Sequence, residues 1–182
     1  LGSVSDPATR NMIRESPYLQ ELLAFHASRL NGRGAVLASS GKFDEAIAQF
    51  KDGLLLNPDS ADIYWNFGRA LVAKGGPTAE AISLLRRSVA LDPTQGPFHY
   101  DLASTLLDAS DVDGAIDHFR EAVRLMPQST EAHNNFGIAL GTKGRLEEAI
   151  AQFQQAVQLS PQNAEAQHNL SSALQAVGSG RP

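Results

Sequence analysis

The chain of 182 residues contains no cysteine. That excludes disulfides, thiolate metal ligands and cysteine nucleophiles together. It leaves the compartment open, and a cytoplasmic setting is the working expectation. No run of about 18 apolar residues occurs, so membrane insertion is not expected. A basic start followed by an apolar stretch, the mark of a secretory signal, is missing as well. Positive charge is scarce: 15 Lys and Arg stand against 20 Asp and Glu, for a net charge of -5. Nucleic acid is therefore not an expected partner, since a phosphate binder needs a basic patch or stripe. Against these absences, apolar residues make up 42% of the chain and charged residues 19%, the composition of an ordinary folded protein. Leu1-Gly2-Ser3 reads as a cloning remnant, which would make the chain an excised piece.

What the sequence has is a period. Pro58, Pro93, Pro127 and Pro161 are separated by 35, 34 and 34 residues. Similar runs precede them: GLLLNP, SVALDP, AVRLMP and AVQLSP. Ahead of each lies a turn glycine or serine, then an Ala-Ile pair, at Ala46-Ile47, Ala81-Ile82, Ala115-Ile116 and Ala149-Ile150. Further back stand Gly34, Gly68, Ala103 and Gly137, always a small residue. The aligned repeats run 27–60, 61–95, 96–129 and 130–163, followed by a shortened copy over 164–178. Residues 1–12 and 179–182 are expected to be loose, and 13–26 to form an N-terminal helical segment or linker. In the fourth repeat His133, Phe136, Gly137 and Leu140 follow helical spacing, Gly144 interrupts, and Leu146, Ala149, Ile150, Phe153, Ala156 and Val157 resume it. Pro161 closes the copy. Each repeat is thus a pair of helices, A and B, whose apolar faces are buried only by stacking on neighbours.

This pattern resembles the tetratricopeptide repeat (TPR), over residues 27–178. Phe136, Gly137, Leu140, Ala149, Phe153, Ala156 and Pro161 match the family's positions in the fourth repeat. Leu102, Ala103, Leu106, Ala115, Phe119, Ala122 and Pro127 do so in the third, and Tyr64, Phe67, Gly68, Leu71, Ala81, Leu85 and Pro93 in the second. The first keeps Gly34, Leu37, Ala46, Phe50 and Pro58 but departs at Arg33 and Gly53, where a large apolar residue and alanine are usual. The resemblance implies an all-α, right-handed superhelical solenoid of antiparallel helix pairs: four repeats and a C-terminal capping helix. It also implies a non-catalytic interaction scaffold, holding an extended peptide or a partner's helix against its A helices. The alternative is a substrate-recruiting or oligomerising arm of a larger enzyme, such as a glycosyltransferase or a sulfatase-like protein. Association of copies through the array ends is a further expectation.

Within that frame the sixth position of successive repeats reads Gly32, Asn66, Asp101, Asn135 and Asn169, and the fifth reads Asn31, Trp65, Tyr100, Asn134 and His168. Asparagine offers a donor and an acceptor on one short side chain, a match for peptide backbone. The row resembles that of the O-linked N-acetylglucosamine transferase array. Asn66, Asn135, Asn169, Asp101, Trp65, Arg69, Tyr100 and Asn134 are therefore the candidate peptide-contacting residues; the competing reading has the asparagines bonding neighbouring helices. The lysine, asparagine and arginine clamp by which some TPR arrays hold chaperone C-termini is missing.

Other constellations are weaker. His99 and His133 share the fourth position in successive repeats and could neighbour each other as a metal pair, but that position normally holds a core aromatic. DVDG at 111–114 lacks the rest of a calcium loop and suits a turn. NGRGAVL lacks the strand and third glycine of a dinucleotide site. No serine, histidine and carboxylate spacing suggests a triad, and no cofactor is expected.

Overall fold

The computed structural model of the chain describes residues 6, 9, 12, 13 and 15–179. Most of the segments expected to be loose, 1–12 and 179–182, therefore lies outside the described residues. From Pro17 onward the chain forms α1 (Pro17–Ser39), α2 (Phe43–Leu56), α3 (Ala61–Gly75), α4 (Ala79–Leu91), α5 (Gly96–Asp108), α6 (Val112–Leu125), α7 (Thr130–Thr142), α8 (Leu146–Leu159) and α9 (Ala164–Ser179). No strand occurs among the described residues.

Local chemistry sets the ends of these helices. Ser16 caps α1, its hydroxyl accepting from the Leu19 N–H, with Pro17 at the first turn, where its missing N–H costs nothing. Thr78, Asp111 and Ser129 cap α4, α6 and α7 through Ala81, Gly114 and Ala132. Asp111 thus spends its carboxylate on a turn of DVDG. The chain reverses through left-handed residues at Gly41, Gly76 and Gly144, and at Ser110 with φ 66°. α1 continues without a break across residues 26 and 27. No Gly or Pro falls between Tyr18 and Asn31, so nothing stops the helix there.

Two compact units result, Leu1–Asp92 and Pro93–Pro182. In the first, α1 packs on α2, α2 on α3 and α3 on α4, and α1 also meets α3. Its core gathers Ala27, Ala46, Phe50, Ile63, Phe67 and Ala70. In the second, α5 to α9 pack in succession, while α5 meets α7 and α7 meets α9. Leu102, Leu106, Phe119 and Leu140 are buried there. Each unit therefore has a row of A helices (α1 and α3; α5, α7 and α9) backed by B helices.

The small residues of the repeat let paired helices close up. A Cβ on Gly34 would lie 2.5 Å from Phe50, one on Gly68 2.8 Å from Leu85, and one on Gly137 2.5 Å from Phe153. Gly53, a departure from the family pattern, is buried too, and a Cβ there would lie 3.0 Å from Ile63. Arg33, the other departure, is exposed. One ion pair recurs in equivalent places: Lys74–Asp44 in the first unit and Lys143–Asp113 in the second, each linking residues 30 apart. Both are exposed and worth at most about 1 kcal/mol.

Candidate functional site on the A helices

Trp65, Asn66 and Arg69 lie on α3, Tyr100 and Asp101 on α5, Asn134 and Asn135 on α7, and Asn169 on α9. Within each unit the sixth position of an A helix meets the fifth position of the A helix before it. The asparagines are then joined by one repeated bond. Asn66 Nδ2 donates to Asn31 Oδ1 at 3.0 Å, Asn135 Nδ2 to the Tyr100 hydroxyl at 2.9 Å, and Asn169 Nδ2 to Asn134 Oδ1 at 3.0 Å. Every rung runs from a sixth position to the fifth position of the preceding A helix, 35 residues back.

Asn134 requires a correction. Expected to face a ligand, it is only 5% exposed. Its amide also donates to Glu165 Oε1 at 3.0 Å, while its carbonyl oxygen accepts from Asn169. With both ends engaged and the residue buried, it acts as a strut of the ladder. Asn31 and Glu165 complete the network although the candidate set omitted them. The signal that could have found Asn31 is the pairing of a fifth position with a sixth one repeat later.

In the first unit Trp65 and Asn66 are half-buried, and the Arg69 guanidinium lies 4.7 Å from the centre of the Trp65 ring. A cation over an aromatic face is attracted by the ring quadrupole. Ala35, Ala38, Ala70 and Ala73 leave a cleft of about 230 Å³ whose polar lining includes Asn66 and Arg69. In the second unit Tyr100 packs edge-on to Phe119 at 6.0 Å between centroids. Burial pushes its phenol pKa above the ordinary tyrosine value, and the nearby carboxylates of Asp101, Glu131 and Glu165 add to the rise.

The histidines of the fourth position do not form a pair with each other. The His99 ring meets His118 at 3.1 Å and the Pro93 carbonyl at 3.1 Å. His133 meets Gln152 at 2.8 Å and the Pro127 carbonyl at 3.2 Å. Each ring ties its A helix to its own B helix and to the preceding proline turn. No group of three or more histidines and carboxylates that could hold a metal ion occurs among the described residues. Nor, among those residues, is any helix long and apolar enough to cross a membrane.

Stacked helical hairpins with this period define an all-α repeat protein of the solenoid class. A model described as "Tetratricopeptide repeat" matches residues 100–164, and one described as "TPR repeat" matches 34–75. The chain belongs to the tetratricopeptide-repeat proteins. Among solved structures it is similar to MamA, with 25% identity, a TM-score of 0.75, and coverage of 80% of this chain and 84% of that one. Another MamA structure gives 24% identity and a TM-score of 0.78, with 84% and 83% covered. YrrB, described as a TPR protein with an unusual peptide-binding site, gives 24% identity and a TM-score of 0.75, with 84% and 78% covered. At 24% the likeness is one of fold. No curated protein matches the sequence.

Proposed function

We propose that the chain is a non-catalytic protein-interaction scaffold whose A-helix rows bind extended peptide segments of a partner. Asn66, Trp65 and Arg69 act in the first unit, and Asn135, Asn169, Tyr100 and Asp101 in the second, with Asn134 holding its neighbours in place. The ladder is the observation that supports this reading most. A primary amide has two N–H donors and a carbonyl acceptor. A rung uses one donor and fixes the side chain's direction. The part of the amide not used by the rung is held in a set orientation, so less rotamer entropy remains to be lost on binding. Peptide backbone is the ligand that takes regularly spaced amides without demanding particular side chains.

The fold of YrrB, a TPR protein with a peptide-binding site, lends support. The test is selection of peptides from a random library on the whole chain, followed by titration monitored through Trp65, the only tryptophan. Combined Asn66→Ala and Asn135→Ala substitution is expected to weaken binding about tenfold or more, at about 1 kcal/mol per lost hydrogen bond. Unchanged affinity with helicity intact would discard the role of the row.

A further inference from the structure

The first helix carries a second surface that the A-helix row does not explain. Large exposed apolar side chains are few among the described residues, and they concentrate on α1: Tyr18 at 72%, Leu22 at 39%, Phe25 at 59% and Val36 at 67% exposure. With Arg29 and Gly32 they fall at intervals of four, three, four, three and four residues, one straight stripe along the helix. The opposite side of α1, with Ala27 and Gly34, is buried in the unit. The stripe is therefore outward-facing, and no other described helix covers it.

We infer that the stripe from Tyr18 to Gly32 is covered by the same segment of a second copy, with the two α1 helices antiparallel about a two-fold axis at Phe25. Three observations choose this occupant. The first is charge: Glu21 lies four residues before Phe25 and Arg29 four residues after it. An antiparallel pair centred on Phe25 sets Glu21 of each copy beside Arg29 of the other, whereas a parallel pair sets like charges together. Size is the second. The same register sets Tyr18, seven residues before the centre, over Gly32, seven after it. A Cβ added to Gly32 meets nothing within 4 Å, so packing inside the monomer gives no reason for glycine there. Third, Gly32, Arg33, Val36, Ala48 and Gln49 line a cleft of about 570 Å³. The Tyr18 ring of the second copy, set over Gly32, would lie at the mouth of that cleft. Self-complementary contact of this kind is what two-fold symmetry requires.

The absence of cysteine makes the test clean. Sedimentation velocity on the whole chain across a concentration series is expected to show a reversible dimer. Leu22→Glu with Phe25→Glu should leave a monomer with an unchanged helical spectrum, because both side chains point away from the core. Tyr18→Ala should weaken the dimer, since the ring set over Gly32 is then lost. Under mild oxidation Phe25→Cys is expected to form a covalent dimer. Tyr18→Cys is not, since seven residues at about 1.5 Å each put its two copies roughly 20 Å apart, beyond the reach of a disulfide. A chain that stays monomeric at every concentration would overturn the inference. So would a dimer that survives the double glutamate variant, or one that cross-links at Tyr18→Cys in place of Phe25→Cys. None of these readouts depends on peptide binding, so the two readings stand or fall separately.

Discussion

Gly32 and Gly34 lie two residues apart on the same helix, and replacing each by alanine should change stability in opposite directions. The intrinsic term is common to both. Alanine is favoured over glycine inside a helix by about 0.8–1.0 kcal/mol. At Gly32 nothing opposes it, because the new methyl group enters open space. At Gly34 the methyl would lie 2.5, 2.8 and 2.9 Å from three carbons of the Phe50 ring. That ring is fully buried and stacked on Phe67 at 6.1 Å between centroids, so it has nowhere to go. Overpacking of this kind costs about 1–3 kcal/mol. Gly32→Ala should therefore stabilise by about 1 kcal/mol, while Gly34→Ala should be neutral to destabilising by about 2 kcal/mol. The quantity to compare is the gap between them, about 1–3 kcal/mol, from which the helix term cancels. Urea unfolding followed by circular dichroism measures it, and heating should show about 2–4 °C for each kcal/mol. Dilute protein keeps any pairing of α1 helices out of the measurement. Repeat proteins can unfold in parts, but both variants sit in one helix and report on the same part. Equal stabilities, or a more stable Gly34→Ala, would refute the close-packing argument.

Two further outcomes follow from the second unit. Ser110 holds a left-handed backbone where the equivalent turn at Gly144 has glycine. Ser110→Gly should relieve about 1–2 kcal/mol of strain and give back about 0.5–1 kcal/mol to the unfolded chain, so a net gain of about 0–1.5 kcal/mol is expected in chemical denaturation. Burial raises the Tyr100 phenol pKa, so the fold favours the neutral form. The stability this contributes is whole below the ordinary tyrosine value of about 10 and is lost as pH rises through the folded value. Tyr100→Phe should flatten the alkaline loss of helicity and remove a tyrosine that ionises above the ordinary value in an ultraviolet titration.

Much of the architecture was legible in the residues. Proline can neither extend a helix nor be moved within a repeat without breaking register, so Pro58, Pro93, Pro127 and Pro161 marked the period directly. Gly34, Gly68 and Gly137 announced close helix approach, and the rings and the leucine side chain they face confirm why. The lateral bonds were harder to see. An asparagine beside a helix axis can turn outward or sideways at similar energy, and only the neighbouring helix decides; Asn134 turned sideways because Glu165 and Asn169 were within reach. His99 and His133 share a register position, yet each found a partner on its own B helix, a distance that spacing along the chain does not encode. The unbroken run of α1 was readable from the absence of a breaker after Pro17. The repeat boundary at residue 27 was a matter of alignment and had no physical stop behind it.

A row of amides that all lean toward the preceding helix has a sense of direction, like an arrow repeated along a line. A strand laid against it meets donors and acceptors in one order, and the same strand reversed meets them in the other. On the proposed peptide-binding reading, the second unit, with its two consecutive rungs, would distinguish a peptide from its backward copy even when composition, charge and length are identical.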